Sequence, residues 1–430
     1  MAVITYIGNA ISKAQVTEYV FAGTWEATDI VDITINGKTV SVTTGSTTIA
    51  TFLATLVTAL NASTVPAEHQ EITWSASSPN LIATADTAGK PFDCTVSTRD
   101  VGGAADAQTI DGSTTSTGTN STANSGPADA AIAANYSGGS LPTAGDTLIL
   151  SGDVDILYNL DALSGVGTLA ELRADWTFTG DLGLPRVNAG VSGGSGGSYY
   201  EYRPTELAVD CTLVNIYSTG GRFYLNTQTV QTAVNVYDSG TPSDAGTQTI
   251  QWRGTHASNV VNVVKGSFAA AQYVGQTTAC ATFKQGFKTS QQSDSDVFIG
   301  ASCGTITAYT KTGGELENHA VITTLNQYGG DTSLIAAGIP TTLNQYGGKV
   351  IDVATGTTTT VTQYGGEYDA RQGLAARTAT NWTIYAGTLR DSFERFTFTN
   401  PIALKAPLAA GGVQGGIVLE LGTDYALQRS

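Results

Sequence analysis

The sequence predicts a mainly β protein whose body is a right-handed parallel β-helix (β-solenoid), preceded by a small N-terminal α+β domain. The main observation is a Gln-Tyr-Gly-Gly block that occurs three times, with its tyrosine at Tyr328, Tyr346 and Tyr364, so that both intervals are 18 residues. A short fixed period means that one structural unit stacks on copies of itself. Eighteen residues are too few for a helical hairpin or a propeller blade. They suffice for one solenoid coil of three short strands, which rises about 4.8 Å per coil.

The repeated blocks also assign roles to their residues. Two glycines follow each tyrosine, and we expect them to form a sharp corner because glycine adopts positive φ at little steric cost. Equal positions of successive coils stack, so the three tyrosines form one column, inside or outside the rod, and packing against their own turn is favoured over ligand binding. The repeat and stacking positions are Tyr328, Tyr346, Tyr364, Gly329, Gly330, Gly347, Gly348, Gly365 and Gly366.

Looser coils precede these blocks. Val214–Tyr217, Val234–Tyr237 and Val260–Val264 are short β-branched runs, each followed by a glycine within a few residues. Valine and isoleucine favour a pleated, half-buried strand. We therefore expect the rod to extend well upstream of the repeats.

The first hundred residues have a different pattern. Ile30–Ile35 and Lys38–Thr43 alternate around Asn36-Gly37, which predicts a β-hairpin with a type I′ turn. Apolar residues at helical spacing between Ile49 and Asn61 predict a helix. Three more strands, Glu71–Ala76, Leu81–Thr84 and Phe92–Ser97, complete a ββαβββ module that packs one helix on a sheet.

These patterns divide the chain into four parts. We predict a small α+β (ββαβββ) module at 1–100, a Gly/Ser/Thr-rich segment at 101–133, the solenoid at 134–400 and cap strands at 401–430. Residues 101–130 have almost no large apolar side chains and cannot bury enough surface to become ordered alone. The segment is therefore a linker, or an arm that orders against a neighbour. Ile417–Leu421 is the candidate for a strand that covers the open edge.

Composition limits the partners. The 430 residues include 36 acidic and 20 basic ones, for a net charge of −16, so a phosphate backbone is repelled and nucleic acid is not an expected partner. No run of 18 apolar residues is present, so no membrane is expected, and the N-terminus lacks the features of a signal peptide. Four cysteines without paired spacing predict buried, reduced thiols; we expect no metal site and no cofactor. They are Cys94, Cys211, Cys280 and Cys303.

Paired carboxylates are the one catalytic feature to consider, because β-solenoids that cleave polysaccharides use them. Glu315 and Glu317 fall in a predicted strand, where residues i and i+2 share a face, and they are the weak candidates for a glycan site. Asp294 and Asp296 lie in a predicted loop that offers at most a weak Ca²⁺ site. Asp391 and Glu394 form a third pair. Solvent exposure is the favoured interpretation of these carboxylates, and we predict no catalytic residue and no enzymatic activity.

A resemblance adds an expected role. Ala134–Leu150 contains Asn-Tyr-Ser-Gly-Gly, Pro142 and Gly145-Asp146-Thr147. It resembles the start of many β-solenoids, including adhesins and phage spikes. With Asp155–Asp161, Phe178–Pro185 and Gly254–Val260, it resembles a family of tailed-bacteriophage virion proteins. The module, with Ile35–Lys38 and Ala85–Phe92, is similar to small domains on phage capsid and tail proteins.

The resemblance implies a non-enzymatic virion structural protein, a capsid decoration or head-spike protein located on particles that assemble in the host cytoplasm. Its expected partner is the major capsid protein or another virion protein, bound through the N-terminal module. Because β-rods often associate side by side around a threefold axis, a homotrimer is also expected. The alternative is a tail fibre or tailspike that binds or cleaves a host surface glycan.

Overall fold

The computed structural model of the chain describes residues 2–102, 107–187, 198–244, 246–286, 294–405, 416–423 and 426–429. Two large hydrophobic cores are present, one in the N-terminal module and one along the inside of a rod. The chain begins in the rod, because β1 (Val3–Tyr6) pairs in parallel with Thr147–Leu150. This placement differs from the predicted module of residues 1–100. The alternation of buried Ile4 and Tyr6 with more exposed neighbours lets β1 cover the edge of the first coil.

The module has two antiparallel sheets with one helix. One sheet has the order β10-β2-β6-β5 with β8 beside β2, and the other has the order β4-β3-β7-β9. The predicted hairpin is present, and both turn residues have positive φ, 47° at Asn36 and 86° at Gly37. The elements are β2 (Val16–Ala22), β3 (Ile30–Ile35), β4 (Lys38–Thr43), α1 (Ile49–Leu60), β5 (Ile72–Ser77), β6 (Asn80–Ala85), β7 (Cys94–Arg99), β8 (Thr109–Ile110), β9 (Thr115–Ser116) and β10 (Thr119–Thr122), with a 3₁₀ turn at His69–Glu71.

The segment after residue 101 matches the second of its two predicted interpretations, an arm that orders against a neighbour. Its strands β8 and β10 pair with β2, and β9 pairs with β7. The backbone N–H of Val20 also donates to the Asp111 carboxylate over 2.9 Å. Backbone pairing to an existing sheet supplies what the small side chains of the segment cannot supply by burial.

The rod is a parallel β-solenoid, which confirms the predicted fold class. From Glu171 to Asp391 the chain alternates between two parallel sheets that run along the rod. The front sheet has the order β1-β11-β12-β14-β16-β18-β20-β22-β24-β26-β28-β30-β33-β35 with β32 beside β30, and the back sheet has the order β13-β15-β17-β19-β21-β23-β25-β27-β29-β31-β34. The bounds are β11 (Thr147–Leu150), β12 (Glu171–Ala174), α2 (Tyr199–Tyr202), β13 (Leu207–Ala208), β14 (Leu213–Ile216), β15 (Phe223–Asn226), β16 (Ala233–Val236), β17 (Ile250–Arg253), β18 (Val260–Val263), β19 (Gly266–Ala270), β20 (Thr282–Gln285), β21 (Ser295–Ile299), β22 (Ile306–Lys311), β23 (Glu315–Asn318), β24 (Ile322–Gln327), β25 (Asp331–Ala336), β26 (Pro340–Gln345), β27 (Lys349–Ala354), β28 (Thr358–Gln363), β29 (Glu367–Asp369), β30 (Arg377–Ile384), β31 (Gly387–Asp391), β32 (Phe396–Phe398), β33 (Ile402–Leu404), β34 (Ile417–Leu421) and β35 (Leu427–Arg429), with a further 3₁₀ turn at Ala133–Asn135 before β11.

Each 18-residue repeat forms one coil, but with two strands rather than the three predicted. β24 and β25 make one coil, and β26 and β27 make the next. Equivalent positions of successive repeats lie in register, so that Leu325 pairs with Leu343, and Leu343 pairs with Val361. The third side of the coil is a short turn.

The two glycines of each corner are required for different reasons. Gly348 has a φ of 73°, which favours glycine. Gly347 does not have a positive φ, but a Cβ there would lie 2.7 Å from the carbonyl oxygen of Tyr328 in the preceding coil. The prediction of positive φ therefore holds for the second glycine of the block, while the first is needed for close stacking.

The C-terminal segment continues both sheets. β34 contains the predicted cap strand and pairs in parallel with β31 on the back sheet, while β35 pairs with β33 on the front sheet.

The four cysteines are free and buried, as predicted, and burial raises the pKa of Cys94, Cys280 and Cys303 to about 12. Within the described ranges, no helix is both long and apolar enough to cross a membrane.

Candidate functional site

The repeated tyrosines form a column on the outside of the rod. The ring centroids of Tyr328, Tyr346, Tyr364 and Tyr385 follow one another at 4.5, 4.8 and 5.0 Å, and successive ring planes differ by less than 10°. About 40% of each repeat tyrosine is exposed. Each inner ring is covered on both faces by its neighbours, so a sugar cannot stack on it. The phenol edges and hydroxyls remain at the surface.

A second aromatic stack lies along the same corner farther upstream. Trp176, Tyr217 and Tyr237 follow one another at centroid distances of 4.8 and 4.6 Å. Tyr217 and Tyr237 occupy the position directly after β14 and β16, as Tyr346 does after β26. Trp176 is 69% exposed and ends this stack. In the sequence, Tyr217 and Tyr237 end two similar β-branched runs of the looser coils. This equivalence indicates that the two rings stack.

Asparagine amides beside the tyrosines bond to each other along the rod axis. Asn235 donates to Asn215 over 3.0 Å, and Asn262 donates to Asn235 over 2.8 Å. Asn344 donates to Asn326 over 2.9 Å in the repeat region. These outward polar groups therefore find partners within the rod.

The same strands point glutamines inward. Gln345 is buried and donates to the carbonyl oxygen of Gly348 in its own corner and to that of Glu367 in the next coil, over 3.2 and 2.9 Å. Gln327 and Gln363 make the equivalent bonds. Each amide thus forms hydrogen bonds to two successive coils. The sequence analysis recognised the repeated glutamine but did not predict this role.

A lysine occupies one position of this inward column. Register places Lys311 between Gln285 and Gln327. Its Nζ donates to the carbonyl oxygens of Gly313 and Gly314, both in its own corner. Burial lowers the pKa of Lys311 to about 7, while the carboxylates of Asp331, Glu315 and Asp296 act in the opposite direction.

Glu315 and Glu317 lie in β23 and are both exposed on one face, as the strand prediction requires. They have different neighbours. Glu317 accepts a hydrogen bond from His319 over 2.7 Å. Glu315 lies in register with Asp296 and Asp331 of the adjacent coils.

With Asp294, the carboxylates of Asp296, Glu315 and Asp331 line an open cavity of about 640 Å³, which we call the acidic groove. The prediction that Asp294 and Asp296 lie together in a loop is wrong for Asp296, which belongs to β21, because Val297 and Ile299 alternate into the core. Residues 290–293 of that predicted loop lie outside the described residues. Among the described residues, no three His, Cys, Asp or Glu side chains are grouped to hold a metal ion.

Asp391 and Glu394 each accept hydrogen bonds from backbone N–H groups at turns. Asp391 is buried and accepts the backbone N–H groups of Arg395 and Phe396 over 2.8 and 2.9 Å. Glu394 accepts the backbone N–H of Thr423 over 2.7 Å.

An ion pair that the sequence analysis missed lies inside the rod. Asp352 and Arg377 are 0% and 1% exposed, and the guanidinium also donates to the Asp352 carbonyl oxygen over 3.0 Å. Tyr368 donates its hydroxyl to the same carboxylate. Burial raises the pKa of Asp352, and Arg377 opposes this shift. The alternation of inward and outward residues along β27 could have predicted that Asp352 points inward, because it lies between the inward residues Val350 and Ala354.

The module and the rod meet at a largely buried cluster of charged and aromatic side chains. Glu71 of the module accepts from Lys90 over 2.6 Å and from Arg203 of the rod over 2.8 Å. Tyr202 donates to Glu71 over 3.1 Å, and Lys90 donates to Tyr199 over 3.1 Å. A small cavity of about 70 Å³ lies at this junction. The module is therefore held against the flank of the rod.

The tyrosines near residue 200 have two different environments. Tyr199 and Tyr202 are buried against the module, so they pack. Tyr200 is half exposed and lies against the Arg186 guanidinium, 3.8 Å from its ring centroid.

Comparison with known proteins gave no match to this chain, either among protein families, among curated proteins or among solved structures.

Proposed function

We propose that this chain is a non-enzymatic structural protein of a tailed-bacteriophage particle, a capsid decoration or head-spike protein attached through its N-terminal module, with the solenoid projecting from the surface or lying on it. The partner would be the major capsid protein or another virion protein, and the rods would assemble as homotrimers. The phage assignment rests on the sequence resemblance.

The structural role is supported by surface side chains that interact with the same side chains of the next coil. Tyr346 shares both ring faces with Tyr328 and Tyr364, and Asn344 bonds to Asn326. A catalytic or ligand-binding surface leaves such groups free for its ligand. Here they stabilise the rod along its axis, which suits a stiff, protease-resistant element.

The junction supports attachment through the module. The ion pairs of Glu71 with Lys90 and Arg203 are largely buried, and removing one partner of such pairs is strongly destabilising. A module fixed on the rod would set the direction of the rod wherever the module binds.

Gold-labelled antibody against the module, applied to intact particles that carry this protein, tests the proposal. Label over the head would support decoration of the capsid by the rod. Label at the tail tip would favour the alternative, and absence of the chain from purified particles would overturn the virion role. A particle that lacks the gene product serves as the control for antibody specificity.

The acidic groove favours the second candidate, a tail fibre or tailspike that binds or cleaves host glycan. Its carboxylates can accept hydrogen bonds from sugar hydroxyls. A glycan array and a depolymerisation assay with wild type and Glu315→Gln test this function. Ser333→Ala changes the next coil on the same sheet outside the groove lining and serves as the matched control.

A further inference from the structure

The outer face of the front sheet is almost without charge. On β16, β18, β20, β22, β24, β26, β28 and β30, the outward residues at the two central register rows are threonine, asparagine, alanine or valine, with Lys284 as the one charged side chain. The tyrosine column borders these rows. We call this surface the neutral face.

The back sheet of the same coils is different. One of its outward rows contains Asp296, Glu315, Asp331, Lys349 and Glu367 in successive coils. The chain carries a net charge of −16. Charge is thus segregated between the two faces, and solvation alone does not require a neutral face on such an acidic rod.

The size of the neutral face suits a protein–protein contact. Eight strands at about 4.8 Å span about 34 Å, and their four to eight residues span on average about 18 Å, which gives about 600 Å². Specific, stable interfaces bury about 600–1,000 Å² per partner, and the neutral face lies at the lower end of this range. Interface centres are also depleted in charged residues and enriched in tyrosine.

Burial of the neutral face has a low desolvation cost. The amides of Asn235 and Asn262 already bond to each other, as do those of Asn326 and Asn344. A partner therefore covers polar groups that keep hydrogen bonds after water is removed.

The charge distribution indicates which partner covers the neutral face. Two copies of an acidic chain repel wherever their acidic faces meet, and the neutral face is where they can approach without this repulsion. A basic partner would instead be attracted to the acidic groove. We infer that the neutral face of each rod is buried against other copies of this chain. This inference rests on the proposed function in one respect, namely that the assembly is the proposed homotrimer.

Thr362→Lys tests the contact. Thr362 is in the same register row as Lys284, so the solenoid accommodates a lysine in this row. Ser333→Lys adds the same charge to an outward position of the back sheet and is the matched control. Mass is measured by light scattering after gel filtration, over a range of concentrations.

We expect wild type and Ser333→Lys to have the mass of three 44.3 kDa chains. Association of Thr362→Lys should be at least about tenfold weaker, a change of only about 1.4 kcal/mol. A wild-type mass of two chains, with the same response of the variants, supports the contact and overturns the trimer. A monomeric wild type, or equal association of the two variants, overturns the contact. The antibody experiment on particles is independent of these outcomes, so the virion role can fail while the contact holds.

Cross-linking covers the case in which Thr362→Lys does not fold. Thr360→Cys and Ser333→Cys each add one cysteine to a chain whose four native cysteines are buried. A short bifunctional maleimide should join chains at residue 360 and not at residue 333. Cross-linking at residue 333 alone would contradict the assigned face.

Discussion

The upstream coils, β14 to β18, and the repeat coils, β24 to β28, have the same tyrosine-bearing corner but differ in the side chains that point inward beside it. In the upstream coils, the last inward residue before the corner is Ile216, Val236 or Val263, and each is fully buried. In the repeat coils, this residue is a glutamine whose amide bonds to two coils, as Gln345 does. Outside the corner, both regions stack tyrosines. The solenoid therefore tolerates either an apolar or a polar column inside, provided that the polar one has acceptors.

The largest expected difference concerns the buried charges of the downstream coils. Arg377→Met leaves the carboxylate of Asp352 in the core without its cation, and we expect the free energy of unfolding to fall by about 3–5 kcal/mol. Urea denaturation measures this change.

Lys265→Met is the upstream counterpart. It removes an ion pair with Asp238 in which the two side chains are 51% and 38% exposed. Exposed pairs contribute about 0–1 kcal/mol. Losses of equal size for the two variants would mean that Asp352 is not held as a charged group in the core.

Exchange of the interior residues tests the polar and apolar columns directly. Val236→Gln introduces an amide between the buried side chains of Ile216 and Val263, and we expect a loss of about 2–3 kcal/mol, since a buried polar group without partners is costly. Gln345→Val removes two hydrogen bonds of about 0.5–1.5 kcal/mol each but buries an apolar side chain in place of the amide, so we expect a net cost of about 1 kcal/mol. Denaturant midpoints of both variants measure the asymmetry. If Val236→Gln cost no more than Gln345→Val, the upstream corner would also have to offer acceptors to an amide.

Lys311 interrupts the glutamine column, and its effect should depend on pH. The pKa of Lys311 is about 7 in the folded protein against 10.5 for an ordinary lysine. Between these values the unfolded chain binds more protons, so wild-type stability rises with pH. Below about pH 7 the full penalty for the buried charge is present. We therefore expect Lys311→Gln to be more stable than wild type by about 2 kcal/mol near pH 7. The difference should fall by up to about 1.4 kcal/mol per pH unit above it, so that wild type becomes the more stable protein near pH 10.

Unfolding of wild type, Lys311→Gln and the control Lys405→Gln at about pH 7 and about pH 10 measures this effect. Lys405 is exposed directly after β33, outside the neutral face. A difference between Lys311→Gln and wild type that stays constant with pH would show that the lysine does not titrate in this window.

The sequence predicted the elements that depend on local pattern. The 18-residue period predicted stacked coils, and Asn36-Gly37 predicted the hairpin. It did not predict contacts between distant segments. The pairing of Val3–Tyr6 with Thr147–Leu150 and the bond of Glu71 to Arg203 join residues more than 100 positions apart, and nothing local marks either partner. Within the repeats, identity of letters indicated that positions stack, but not which way each side chain points. Alternation decides that, and a one-residue slip at the corner reverses it.

The smallest expected effect concerns the tyrosine columns. Tyr346 stacks between Tyr328 and Tyr364, whereas among the described rings Tyr237 stacks on Tyr217 alone. Each aromatic pair contributes about 0.5–1.5 kcal/mol beyond area burial. Tyr346→Ala should therefore reduce the free energy of unfolding by about 1 kcal/mol more than Tyr237→Ala, as measured by urea denaturation. If the two substitutions had equal effects, the rings would stabilise the rod by covering their own corners, and the continuity of the column would contribute nothing. Tyr364→Phe keeps the ring and removes only the hydroxyl, so little change is expected if stacking is the source of the stability.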